Sequence, residues 1–198
     1  MEHAEHAEHA AHGGNKKIAL LIAILALFLA FSETLGKSAQ TKAVTLNVAV
    51  NDTWAFFQAK TIRMTVLRTA GEQAQLGADQ TADATAKAAA LKQIDAWKKT
   101  ADRYDDDEKS MEGRKQLTEK AKELEHERDE ALSRYHNYEF ASAAFQIGIV
   151  LASAQVITGM VVLGWLAGLL GVGGLGLTAI GLWAPHALDF IMHGGGHH

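Results

Sequence analysis

The chain contains no cysteine. That excludes a disulfide framework, a thiolate metal site and a cysteine nucleophile. It contains one proline, Pro185, so no earlier residue forces a helix to stop. The net charge is only −4 at pH 7, so no nucleic-acid partner is expected: such proteins usually carry a strongly basic stripe. The most informative absence is local. Residues 140–188 include no Asp, Glu, Lys or Arg.

One crossing of a bilayer's hydrocarbon layer takes about 20 apolar residues, so this uncharged run is long enough for two. It is interrupted at Thr158-Gly159 and Gly164 and ends at Trp183-Ala184-Pro185-His186. The pattern predicts a transmembrane helical hairpin, with crossings over 138–158 and 164–185 and a Gly/His tail over 186–198. An earlier apolar run from Ile18 to Phe31 follows Lys16-Lys17. A basic pair before an apolar run also opens a signal peptide, but the segment after Ser32 is a poor small-x-small cleavage site. Residues 16–35 are therefore expected to be a retained membrane helix. Glu33 lies at its far end, where a carboxylate either reaches the interface or joins a polar ring inside an oligomer.

Apolar residues thus concentrate at two places, with an Ala-rich, charged stretch between them. That segmentation predicts an all-α, integral membrane fold class. It has one N-terminal transmembrane helix, a long helical coiled-coil-like soluble body over 36–137, and the C-terminal transmembrane hairpin.

Residues 1–15 are low in complexity. His3, His6, His9 and His12 recur every third residue, which places them on one face of any helix and makes them weak candidates for holding a divalent metal. The plainer expectation is a solvated, disordered tail with no cofactor, since so short a tract has no core to fold on. His193, His197 and His198 follow a glycine run at the other end.

In the body, Leu46, Thr53, Lys60 and Leu67 recur every seventh residue, and so do Val50, Phe57 and Met64. Together they form an a/d-like stripe, imperfect at Lys60. Val48, Ala55 and Ile62 make a second row beside it. So wide an apolar face calls for two neighbours, in this chain or in copies of it. Trp54, Phe56 and Phe57 fit a lipid headgroup layer equally well, if this helix runs along the membrane. Gly71 and Gly77 predict a break near 71–80, with Asp79 or Thr81 capping the next helix. That helix carries Leu91, Ile94, Trp97, Ala101 and Tyr104 on one stripe. A second break is expected over 105–113. Its acidic run, Asp105 to Glu108, lacks the alternating spacing and distal Glu of a calcium-binding EF-hand loop.

From Arg114 the heptads are the clearest in the chain: Leu117, Leu124, Ala131 and Tyr138 in one row, Ala121, Arg128 and Tyr135 in the other. Lys115/Glu119 and Glu130/Arg134 have the spacing of i,i+4 ion pairs. No breaker separates this helix from Phe140, so it is expected to run on into the membrane with Tyr135 and Tyr138 at the interface. There, Ala144, Gly148 and Ala152 form a face of small residues that lets backbones approach closely. Gly164/Gly168 and Ala167/Gly171 repeat that spacing after the turn. Ser142, Gln146, Ser153 and Gln155 are intramembrane polar groups that bond between helices or line a pore. Gly173-Gly174 and Gly176 lack the Lys-Ser/Thr of a phosphate loop.

Four stretches carry a resemblance: residues 51–60 (NDTWAFFQAK), Glu112-Gly113-Arg114, Glu127-Arg128-Asp129 with Tyr135-His136, and residues 145–153 (FQIGIVLAS). In order and content they resemble a family of bacterial inner-membrane proteins known as domain of unknown function 4337. The resemblance implies the same three-crossing layout and no particular activity.

Three classes of function are weighed. A non-catalytic scaffold or accessory subunit, self-associating as a homo-oligomer in the lipid bilayer, follows from the heptads and small-residue faces. Its packing residues would be Val50, Phe57, Met64, Leu117, Leu124, Ala144, Gly148, Ala152, Gly164 and Gly168. An oligomeric channel or transporter follows from the intramembrane polar groups, although the hairpin has no charge and no inverted repeat is visible. An enzyme is not expected: His126 and His136 lie among Glu123, Glu127 and Asp129, but their spacing matches no metal or nucleophile–base motif. Lys16 and Lys17 against Lys37 and Lys42 lean weakly to an N-terminus inside the cell, which puts the helical body in the periplasm.

Overall fold

The computed structural model describes residues 2–187, and side chains from Lys16 onward. The described residues form four helices and no strand: α1 Glu2–Gln80, α2 Ala84–Asp105, α3 Arg114–Thr158 and α4 Val161–Trp183. By length and composition, α1, α3 and α4 are candidate membrane spans. The chain divides into two units, Met1–Val44 with Arg128–His198, and Thr45–Glu127.

Several expected boundaries move. The tract expected as a disordered tail over 1–15 has helical backbone from Glu2. Its Ala and Glu residues favour helix, and extending an existing helix costs far less than starting one. The histidines His3, His6, His9 and His12 lie outside the residues whose side chains are described, as do His193, His197 and His198. The break expected near 71–80 is also displaced: α1 carries through Gly71 and Gly77 to Gln80. An isolated glycine costs a helix only about 1 kcal/mol relative to Ala, which neighbouring turns absorb. The stop is set instead by the next helix's cap. Neither Asp79 nor Thr81 supplies it: the Asp83 carboxylate accepts from the Thr85 backbone N–H at 2.8 Å.

The second connection, between α2 and α3, lies within 105–113. The Asp106 carboxylate accepts from Lys115 Nζ at 2.8 Å and Gln116 Nε2 at 2.7 Å. Lys115 therefore pairs with Asp106 rather than with Glu119, whereas the Glu130–Arg134 pair forms as expected at 2.7 Å. Met111, in this connection, has a left-handed φ of 56°.

The α3–α4 turn is Gly159-Met160, and α4 begins at Val161 rather than 164. Gly159 has φ 72°, a conformation that is nearly free for glycine and costly for residues with a Cβ. Gly164 therefore belongs to α4, not to the turn. The cap backbone of α4 leaves helical geometry at Ala184, just before Pro185.

Candidate functional site

In the first unit, small residues set the distances between helices. A Cβ on Gly148 of α3 would lie 3.2 Å from Leu25 Cδ1 of α1 and 3.3 Å from the Ala167 carbonyl oxygen of α4. Gly174 faces the Phe145 ring, and Gly181 faces Tyr138 and Asn137. These contacts pair falling α3 numbers with rising α4 numbers, so the two helices run antiparallel. Phe28 of α1 stacks on Phe145 with ring centroids 6.1 Å apart, and the Ser32 hydroxyl donates to the Tyr138 carbonyl at 3.1 Å, so α1 also runs antiparallel to α3. Leu25, Ala141 and Phe145 form the buried core. Beyond the α4 terminus, Asn137 Nδ2 donates to the Pro185 carbonyl at 2.9 Å.

Among the expected packing residues, Gly148 and Ala152 are buried and Ala144 is half-buried. Gly168 has nothing within 4 Å of the space a Cβ would take. The buried row of α4 is instead Ala167, Gly171, Gly174, Thr178 and Gly181. Small-residue spacing alone fits either face of this glycine-rich helix. What separates them is the position of Leu25 and Phe145 against one face, which lies far away in sequence. Gly164 accommodates the side chain of Gln155, whose Oε1 is buried without a partner.

The polar groups expected inside the candidate spans divide. The Ser153 hydroxyl bonds its own helix at Ile149 O, 2.8 Å away. Gln146 Nε2 donates to the Glu33 carboxylate at 3.3 Å, and both side chains are exposed. They line a groove of about 490 Å³ between α1 and α3 that also includes Ser142, Lys37 and Glu139. A smaller cleft of about 210 Å³ lies among α1, α3 and α4, lined by Lys42, Glu130, Arg134 and apolar side chains.

The second unit has a different centre. The imperfect heptad position, Lys60, is only 7 % exposed. Its ammonium lies 5.0 Å from the Phe56 ring centroid and 5.2 Å from that of Tyr104, and 3.5 Å from a Glu112 oxygen. Arg114 stacks over Phe57 at 4.9 Å and pairs with Asp105 at 2.9 Å. Trp54 donates its indole N–H to Glu125 at 2.9 Å. The aromatic trio weighed for a headgroup layer thus has its polar and cationic partners inside this unit. Sequence reasoning missed the cluster because Tyr104, Asp105, Glu112 and Arg114 come to α1 from beyond the connection that follows it. The detectable signal was a lysine in an apolar row with an aromatic residue four positions before it.

Val50 and Met64 are buried and Phe57 half-buried, as are Leu117 and Leu124 respectively. The row expected beside this stripe falls on the opposite face of α1 and is not covered: Val48, Ile62 and Val66 are 55 %, 64 % and 60 % exposed. Among the described residues, no group of three or more His, Asp or Glu side chains is placed to hold a metal ion.

A family model described as Domain of unknown function (DUF4337) matches residues 14–184. No curated protein and no solved structure matches the chain.

Proposed function

We propose that this chain, which belongs to the DUF4337 family, is a non-catalytic multi-pass protein of the bacterial inner membrane. In this reading it self-associates, as a scaffold or as an accessory subunit of a larger membrane complex. α1, α3 and α4 each cross the bilayer once, α3 and α4 as a hairpin. The outward side chains of the first unit support the membrane placement. Leu27, Val150, Trp165 and Leu169 are each at least 65 % exposed, an apolar exterior that costs little in lipid and much in water.

Self-association rests on one observation, the uncovered row of Val48, Ala55, Ile62 and Val66 on α1. Val48, Ala55 and Ile62 recur every seventh residue, the period of a helix–helix seam; Val66 lies one turn beyond Ile62, and the opposite row of the same helix already packs within the unit. The flanks facing this row carry few charges: Asn51, Asp52, Gln58, Ala59, Arg63 and Thr65. A second copy of the chain is the partner that this seam fits. Native mass spectrometry of the full chain in mild detergent, with bismaleimide cross-linking of Ile62→Cys, tests it. A strict monomer that forms no cross-link refutes it.

The orientation carried into this reading puts the N-terminus in the cytoplasm and the helical body in the periplasm. It follows from Lys16 and Lys17 ahead of the first span. A membrane-impermeant maleimide should label Ser110→Cys but not Ala4→Cys in cells with a permeabilised outer membrane.

The exposed Glu33–Gln146 pair favours a second reading, an oligomeric channel or transporter with this polar pair on the path. Unchanged conductance and solute flux in proteoliposomes would remove it.

A further inference from the structure

We propose that the cleft among α1, α3 and α4 binds the phosphodiester headgroup of an anionic phospholipid. The proposal rests on the reading of the first unit as membrane-embedded.

Three of the cleft's lining residues mark its depth. Leu35 is the last residue of the first expected span, Tyr138 the first of the second, and Leu182 the second-last residue of α4. The cleft therefore lies where three apolar segments end together, the layer in which headgroups sit. Trp183, 83 % exposed beside it, is the residue type enriched in that layer.

Its chemistry is cationic. Lys42 and Arg134 face a single carboxylate, Glu130. Glu130 is taken by Arg134 Nη2 at 2.7 Å, and Lys42 has no ion pair among the described residues. The Arg134 side chain is 40 % exposed while one of its Nη atoms bonds Glu130. Its guanidinium therefore has more donors than this protein partner satisfies, and a phosphate group brings several acceptor oxygens. Leu35 and Leu182 supply an apolar wall for the start of an acyl chain. The wider groove on the other side of α1 is the internal contrast. There Glu33 and Glu139 outnumber Lys37, which disfavours an anion. Basic pockets between membrane helices on the cytoplasmic side hold anionic headgroups in this way, and the same pairing of charges operates at the periplasmic end where the orientation above puts this cleft.

Native mass spectrometry of the full chain, released from nanodiscs of mixed phosphatidylethanolamine and phosphatidylglycerol, tests this. The protein should retain phosphatidylglycerol preferentially. Lys42→Gln and Arg134→Gln should each lower that preference about fivefold, on the basis of the usual contribution of one basic residue near an anionic surface. Glu130→Gln should raise it, and Lys37→Gln, which removes the same charge from the other groove, should leave it unchanged. Because Glu130→Gln predicts a gain, misfolding cannot mimic the pattern. Equal retention of both lipids, or equal effects of Lys37→Gln and Lys42→Gln, overturns the proposal. So does saturable binding of inorganic phosphate to the detergent-solubilised chain at this cleft, which would make the site one for free phosphate. If the chain stays in solution without detergent and retains no lipid at all, the membrane reading itself has failed.

Discussion

Replacing Gly148 separates steric packing from composition more sharply than any other single change. An alanine there would place its Cβ 3.2 Å from Leu25 Cδ1 and 3.3 Å from the Ala167 carbonyl. Ordinary contact begins at 3.4 Å, so the neighbours must yield by a few tenths of an ångström. Leu25 can rotate; the α4 backbone must translate. Gly148→Ala should therefore cost less than the leucine: one methyl sits at the low end of the about 1–3 kcal/mol of overpacking, and alanine regains up to about 1 kcal/mol of helix propensity over glycine. A leucine adds three further carbons to occupied space and forces α3 and α4 apart, at about 1–3 kcal/mol. That is a change of about 5- to 150-fold in the folding equilibrium. Gly168→Leu is the matched control: it adds the same side chain to the adjacent helix, where nothing lies within 4 Å. The assay is equilibrium unfolding of the full chain in mixed micelles, followed by tryptophan fluorescence. The reasoning predicts the order Gly148→Leu, then Gly148→Ala, then Gly168→Leu near wild type. Equal losses at Gly148 and Gly168 would refute it, because the cost would then not depend on what lies against each glycine.

In the second unit, Leu117→Asp should cost about 2–4 kcal/mol and exceed Leu124→Asp, since it puts a charge at a 4 %-exposed position and Leu124 is only half-buried. Thermal unfolding by circular dichroism ranks the two. Met111→Gly should raise stability by about 0.5–1 kcal/mol in the same assay, because φ 56° is strained for a side chain and free for glycine. The Asp106 carboxyl titrates below its ordinary 3.8, held down by the hydrogen bond from Lys115 and then by that from Gln116. A depressed carboxylate contributes stability above its unfolded value and loses it as pH falls through its folded value. Asp106→Asn should therefore flatten the stability profile below pH 3.8, and leave the slope between pH 6 and 8 unchanged; an altered neutral slope would contradict the assignment.

The helical class, the number of candidate spans and the face of the main heptad stripe were legible because each is local. Apolar runs, a period of seven and a lack of breakers are properties of short windows of sequence. Boundaries were less legible. Gly71 and Gly77 read as a break, yet a helix tolerates glycine unless something competes for its backbone. Asp83 provided that competition by capping the next helix, four residues beyond the expected alternative at Asp79. The turn expected from Gly159 to Gly164 narrows to Gly159-Met160, where Gly159 takes a positive φ, and Gly164 stays within α4.

The sites were less legible still, and for a common reason. Lys60 looked like a flaw in an apolar row, and Arg114 looked like the start of a helix. Their roles depend on Phe56, Phe57, Tyr104, Asp105 and Glu112, gathered from three separate segments. A lysine stem covers apolar surface while its ammonium sits on aromatic faces, so a cation can occupy a core position once the rings are brought to it. Lys42 and Arg134 are likewise brought together only by the fold. Lys42 read as one vote on membrane orientation, and Arg134 as half of a helical ion pair with Glu130. Only when α1 and α3 run antiparallel do the two cations line one cleft with Leu182 of α4. The excess positive charge there is a product of topology, invisible to any window of sequence that contains just one of them.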